Sequence, residues 1–256
     1  MVNLANAFGI GTSQEQSQAE LNVIIEYESG IDELINRFST LSFLKTIQLR
    51  EDSSISWNRE SGVTYDLQVI FIGKTGYGKS TTLNSIIGNK VFETNDVTSC
   101  TKKLHSAEYK IHDNKPYYFS LCDLPGVGES TEADGKYLEW YRDILQKSNC
   151  VVYVLRADQR DFTIDEKIFS SLFKNQAEKR KVIVALNYAD KVEPINRKYP
   201  FQPSEAQLNN LKERMNQVSR IFDIHPQNIL YYSAGEGYNI EILVSKIKGV
   251  IQYQYR

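Results

Sequence analysis

The chain has 256 residues, more than a usual single domain of about 100–150 and fewer than a comfortable pair, which fits one α/β domain with an appendage. Hydrophobic residues at 41 %, charged residues at 24 % and only 6 prolines exclude a disordered or fibrous chain. Thirty Lys+Arg against 32 Asp+Glu give a formal charge of -2, so charge does not support direct nucleic-acid binding, although a local basic patch stays open.

Three cysteines, Cys100, Cys122 and Cys150, are odd in number and widely spaced, which argues for a reducing compartment and against a disulfide framework or a zinc site. No apolar run approaches the roughly 18–20 residues that cross a bilayer, and Met1-Val2-Asn3 has neither a basic leader nor a second-position glycine. The expectation is a cytoplasmic, unanchored protein with no transmembrane segment.

Residues 1–20, with Gly11 to Gln18 polar throughout, predict a disordered tail. Residues 21–64 read as a helical extension and linker. Leu21, Ile24, Ile25, Ile31, Leu34, Ile35, Phe38 and Leu41 recur at helical spacing, a stripe suited to packing on the following domain or to self-association as a coiled coil. Residues 65–256 then alternate strand and helix patterns. Strands are predicted at 67–72, 102–111, 116–122, 150–155, 182–186 and 229–232, and helices at 79–87, 136–147, 164–175, 204–221 and 240–253. Asp113-Asn114 is a hairpin turn signal, and capping boxes stand at Thr163–Glu166 and Ser204–Gln207. Apolar strands separated by helices imply a three-layer α/β/α fold around a mixed, mostly parallel six-stranded sheet, with ligands beyond the strand C-terminal ends.

Gly73-Lys74-Thr75-Gly76-Tyr77-Gly78-Lys79-Ser80 matches G-x-x-x-x-G-K-[ST] between a strand and a helix, the context of a phosphate-binding loop. Its backbone N–H groups would curl around phosphates, Lys79 would reach the β- and γ-oxygens, and Ser80 would ligate Mg²⁺. Asp123-Leu124-Pro125-Gly126 ends another strand, where the carboxylate can hold Mg²⁺ through a water and the glycine N–H can meet the γ-phosphate. Asn187-Tyr188-Ala189-Asp190 closes a third. Asp190 can accept from guanine N1–H and its exocyclic amine, whereas adenine would leave it unpaired, which selects GTP over ATP. Ser233-Ala234-Gly235, after the last strand, would offer backbone donors to the guanine carbonyl.

On these four motifs the sequence resembles the P-loop GTPase (G) domains of the translation-factor, TrmE–Era-like class over about residues 66–253. The stretches 123–130, Arg156-Ala157-Asp158 and 187–194 are similar to bacterial Era-like GTPases found in prophages and labelled ribosome-binding. Gly73 through Thr81 also resembles the loop of GIMAP and interferon-inducible GTPases, which assemble on binding GTP. The resemblance implies GTP/GDP and Mg²⁺ as cofactors. It implies Lys79, Thr101 and Gly126 as catalytic residues, Ser80, Thr101 and Asp123 as the metal set, and Thr98 as the alternative to Thr101 for the switch threonine.

The departures from the family pattern also carry meaning. Tyr188 replaces the lysine of N-K-x-D, to stack on the base or to cover a neighbouring helix. Val127 follows Gly126 where Ras-like proteins keep a water-orienting glutamine, so slow hydrolysis is expected. Gly76 stands where potassium-dependent members have asparagine, and the chain ends without the RNA-binding KH domain of Era. Arg156 and Arg160 read as arginine fingers or as solvated loop residues. His105, His112 and His225 are isolated strand or loop residues. The implied activity is slow hydrolysis of GTP to GDP and phosphate by a molecular switch, with a GTP-dependent self-assembling GTPase, or a GTP-binding module with little hydrolysis, as the alternatives. Its partners would be a ribosome or another protein effector, or a second copy joined through the nucleotide face or the N-terminal helices.

Overall fold

A computed structural model describes residues 65–90, 92, 94, 105–110, 117–124, 126, 134–195 and 198–254. The 1–20 tail, the 21–64 extension, the Asp113-Asn114 turn, Thr98, Thr101 and Val127 lie outside them.

Six strands, β1 (Tyr65–Ile72), β2 (His105–Lys110), β3 (Tyr117–Asp123), β4 (Cys150–Arg156), β5 (Val182–Asn187) and β6 (Ile229–Tyr231), form one sheet in the order β2-β3-β1-β4-β5-β6. Only β2 is antiparallel, paired through Ser106↔Cys122 and Glu108↔Ser120; the other five run parallel. Parallel strands joined by crossover helices are covered on both faces and read as continuous apolar runs. Val69–Ile72, Val151–Leu155 and Val182–Leu186 are accordingly all fully buried.

The helices are α1 (Lys79–Ile87), α2 (Asp134–Lys147), α3 (Thr163–Leu172), the single turn α4 (Gln176–Lys179), α5 (Glu205–Phe222) and α6 (Ile240–Gln254). α1 and α6 pack together on one face, against β3 and against β4 and β5 respectively, while α2, α3 and α5 line the other. On that second face Phe169 sits between Tyr153 and Phe222, with ring centroids 5.2 and 5.1 Å away and edges to faces. This is the favoured aromatic geometry, and it fixes α3 against β4 and α5.

Five parallel strands aim their C-terminal ends at one edge, so the turns after Ile72, Asp123, Arg156, Asn187 and Tyr231 converge there. The chain order reverses about β1, with β3 to one side and β4 to the other, and the crevice this opens is where open α/β sheets place ligands.

The predicted capping box at Ser204 forms: Gln207 N–H donates to Ser204 Oγ at 3.3 Å and Ser204 N–H to Gln207 Oε1 at 3.0 Å. The one predicted at Thr163–Glu166 does not. Phe162 is the N-cap, and Asp161 Oδ1 instead accepts from the Thr163 N–H at 2.9 Å and its hydroxyl at 2.6 Å. The acidic residue two positions earlier outcompetes the threonine as local acceptor. The helix expected to run to residue 175 stops at Leu172, because Asn175 caps α4 by accepting from Glu178 N–H.

Candidate functional site

The turn from β1 into α1 carries the site. Gly76 (φ 77°) and Gly78 (φ 83°) adopt left-handed backbone, and a Cβ on Gly78 would stand 2.3 Å from Asn187 Nδ2. Glycine at 78 is therefore required both by conformation and by close approach. Lys79, 6 % exposed on the first turn of α1, donates through Nζ to the Lys74 carbonyl at 3.3 Å, bending its ammonium back over the loop. α1 begins at the end of the loop, and the main-chain N–H groups of a helix's first turn carry positive potential.

Ser80 and Asp123 meet at the loop's β3 side. The Ser80 hydroxyl donates to Asp123 Oδ2 at 2.5 Å, and Asp123 is fully buried at the end of β3. Two hard oxygens converging at one point suit Mg²⁺, which takes oxygen ligands and keeps several waters. Gly126 closes on the loop from the same side, where a Cβ would lie 2.0 Å from Thr75 Oγ1 and 2.6 Å from Thr75 N. The first and third sequence motifs thus come together; Thr101, the remaining member of the expected metal set, lies outside the described residues.

The fourth and fifth motifs meet the loop from the β5 side. Asn187, 2 % exposed, donates through Nδ2 to the Tyr77 carbonyl at 3.0 Å and accepts from Ala234 N–H at 3.0 Å. It is a staple between loop and last turn, and it commits the Ala234 donor to protein. Asp190 accepts from the Ser233 hydroxyl at 2.7 Å on Oδ1 and pairs with Lys191 Nζ at 2.9 Å on Oδ2. The carboxylate is thereby oriented at the strand edge beside Ser233, Ala234 and Gly235. Thr82, one turn into α1, donates to the Gly78 carbonyl at 2.7 Å and shares a 2.8 Å hydrogen bond with the buried Tyr232 hydroxyl.

Tyr188 takes a left-handed conformation (φ 63°, ψ 37°) that sends its ring across the loop. Its hydroxyl donates to the Gly76 carbonyl at 3.2 Å, and the Arg156 guanidinium lies 4.3 Å from its ring centroid, within cation–π range. Arg156 is also held by both oxygens of Asp158, at 3.0 and 2.8 Å, so this arginine is engaged within its own chain. His225 accepts from Gln227 N–H and starts a short helical turn. Cys122 and Cys150 are buried and in no disulfide among the described residues, and burial pushes the Cys150 thiol well above its ordinary range.

Sequence reasoning missed three groups around the loop: Asp165, Gln159 and Tyr153. Gln159 Nε2 and Lys74 Nζ both donate to the buried Asp165 Oδ2. The available signal was an acidic residue in the first turn of a helix beside the site, which local pattern assigns to helix-end electrostatics.

Residues 68–188 match the model of a family described as 50S ribosome-binding GTPase. The chain is 31 % identical over 163 residues to YkfA, an uncharacterized protein of Escherichia coli, covering 63 % of this chain and 55 % of that one. It is 28 % identical over 185 residues to the tRNA modification GTPase MnmE of Thermotoga maritima, covering 70 % and 38 %. It spans about half the length, or less, of the curated relatives it matches. Among solved structures, Toc33 from Arabidopsis thaliana superposes with a TM-score of 0.59 at 18 % identity, covering 90 % of this chain and 94 % of that one. Era of Aquifex aeolicus does so at 0.56 and 23 %, covering 72 % and 56 %; both are likenesses of fold. The phosphate loop, Asp123–Gly126 and Asn187 all fall within the segment that matches the 50S ribosome-binding GTPase model, and the strand order brings those strand ends together at one edge.

Proposed function

We propose that the protein binds Mg²⁺–GTP in the crevice at the C-terminal edge of its sheet and hydrolyses it slowly to GDP and phosphate, acting as a nucleotide-controlled switch. The observation that carries the reading is the convergence of Lys79, Ser80, Asp123 and Asn187 on one loop through the bonds described above, with Asp190 oriented by Ser233 in the turn that follows Asn187. Lys79 and the backbone N–H groups of 73–80 would bear the phosphate charge, and Asp190 would read guanine. Mg²⁺ at Ser80 and Asp123 would neutralise charge on the phosphate oxygens when bound. Val127, in the place of a water-orienting glutamine, is the basis for slow turnover. Loss of the γ-phosphate would release the segments that begin at Thr101 and Gly126 and alter the surface presented to a protein effector or ribosome in a cytoplasmic setting. No described helix is long and apolar enough to cross a membrane.

A second reading is supported by one neighbour. Dimerization is important for the GTPase activity of the chloroplast translocon components atToc33 and psToc159, and the fold solved there matches this one with a TM-score of 0.58. A second copy would then face the first across the nucleotide, or through the 21–64 helices.

The test of the first reading is Asp190→Asn assayed with GTP, XTP and ATP. Asparagine presents a donor to the 2-carbonyl of xanthine, so preference should move from GTP to XTP by about 100-fold or more. Retained guanine selectivity would remove Asp190 from base reading. The second reading is tested by GTP turnover per molecule across a hundredfold range of protein concentration: a rising specific rate supports assembly, and a flat one supports a solitary switch.

A further inference from the structure

Asp165 lies outside the four nucleotide motifs read from the sequence, yet it binds two side chains of the phosphate loop, Lys74 and Tyr77. It is fully buried on the first turn of α3. Its Oδ2 accepts from Lys74 Nζ at 2.9 Å, Gln159 Nε2 at 2.8 Å and the Tyr77 hydroxyl at 3.3 Å. Tyr77 also donates to Gln159 Oε1 at 2.5 Å, and the buried Tyr153 hydroxyl donates to the Asp165 main-chain carbonyl at 3.3 Å. Asp165 Oδ1 has no hydrogen-bond partner among the described residues.

A buried carboxylate is tolerated only when paired, and breaking such a pair by removing one partner is far more damaging than removing both. Two of the partners that hold Asp165, Lys74 and Tyr77, belong to the phosphate loop. The Lys74 carbonyl meanwhile accepts from two directions, from the Tyr77 N–H at 3.3 Å and from the Lys79 ammonium at 3.3 Å. Lys74 is therefore gripped at its ammonium by Asp165 while its carbonyl is the rest on which Lys79 sits. Burial, reinforced by the neighbouring Asp165 charge, pushes the Tyr77 phenol well above its ordinary range and keeps it a donor.

We propose that Asp165 is a positioning residue for the phosphate loop: by holding Lys74 and Tyr77 from behind, it fixes the Lys74 carbonyl and through it the Lys79 ammonium. The inference rests on the nucleotide reading above and deepens it. Asp165 acts through Lys74 and Tyr77. The α3 face that carries it is locked by the Tyr153–Phe169–Phe222 cluster, so the grip is set by the core rather than by a surface loop.

The experiment is binding of fluorescent GDP together with steady-state GTP hydrolysis, on the full chain, for wild type, Asp165→Asn, and the double variant Lys74→Met/Asp165→Leu. Asp165→Asn keeps the shape and removes the charge, and should weaken GDP binding about tenfold or more, the scale of a lost charge-assisted hydrogen bond. Because Asp165→Asn leaves the Lys74 charge buried and can cost folding, the double variant is decisive. It removes both charges together and should keep a melting temperature near wild type while binding GDP about tenfold more weakly and with raised KM for GTP. A structural role alone would lower apparent kcat by reducing the folded fraction, at unchanged KM.

Wild-type GDP affinity in the folded double variant would overturn the proposal. So would additive losses when Lys74→Met and Asp165→Leu are combined from the single variants, since the two halves of one contact cannot act independently. Failure of the wild-type chain itself to bind GDP is a different result: it would overturn the nucleotide reading and this inference with it.

Discussion

Asp123 and Asp165 are both fully buried and both press on the phosphate loop, Asp123 from β3 and Asp165 from α3. Asp123 receives the neutral hydroxyl of Ser80, whereas Asp165 receives an ammonium, an amide and a phenol. At Asp165 the protein supplies the countercharge itself, and three donors share one oxygen. At Asp123 the oxygen of the Ser80 hydroxyl is a ligand as readily as a donor. On the proposed reading the same side chain would have two uses: Asp123 would meet a cation that arrives with the ligand, and Asp165 would hold the loop whether or not a ligand is there.

The largest expected effect breaks that contrast directly. Removing Mg²⁺ with EDTA should weaken GTP binding by the wild-type chain on the order of a hundredfold, and Asp123→Asn should be nearly indifferent to EDTA. Asp165→Asn should bind more weakly in both conditions yet keep the full ratio between them. If titration calorimetry finds the same Mg²⁺ dependence in both variants, the division of roles is wrong.

A smaller effect sharpens the comparison by setting Lys74 beside a lysine with no carboxylate. Lys181 Nζ donates to the carbonyls of Leu145, Gln146 and Ser148 at the end of α2, without a salt bridge among the described residues. Burial pushes its pKa from the usual 10.5 down to about 8, against partial opposition from Glu178. Between those two values the unfolded chain holds a proton the folded chain has released, so stability should rise with pH from about 8 to about 10.5. The contribution is complete above the unfolded value and lost as pH falls through the folded one. The slope cannot exceed about 1.4 kcal/mol per pH unit for one group. Urea denaturation of wild type against Lys181→Met measures it: the difference between the two should change across this window, and a pH-independent difference would show that the carbonyls hold the ammonium charged.

How much of this was legible beforehand depends on whether the determinant was local. The turn from β1 to α1 could be read because glycine at 78 and Lys79-Ser80 are local requirements, and the strand positions because Val151–Leu155 and Val182–Leu186 are unbroken apolar runs. The α5 cap could be read for the same reason. Thr163–Glu166 carries similar letters and failed, since Asp161 lay within reach of the same donors. Asp165 was invisible for a different reason. Whether a first-turn acid faces water or a lysine 91 positions away is decided by how α3 seats on Phe222 and Tyr153, which no local pattern contains. For Tyr188 the residue type left two readings open, base or neighbouring helix, and the observed bond to Gly76 gives it a third surface, the loop itself.

That bond supplies the smallest effect. Tyr188 tethers the loop at Gly76 as Asp165 tethers it at Lys74, but with a neutral phenol in an exposed setting. An exposed neutral hydrogen bond contributes about 0.5–1.5 kcal/mol at most, because water replaces it when it is lost. Tyr188→Phe keeps the ring and its contact with Arg156, so GDP affinity should fall about threefold or less. Tyr188→Ala also removes the ring and frees the guanidinium, leaving Arg156 to Asp158 alone, and the loss should be larger, by about another 0.5–1 kcal/mol of cation–π contact. Equal losses in the two variants would place the whole contribution in the hydroxyl and make Gly76 the point at which the β5 turn controls the loop. A graded loss would leave the loop's position to its buried charged tether, with Tyr188 serving chiefly as a cover.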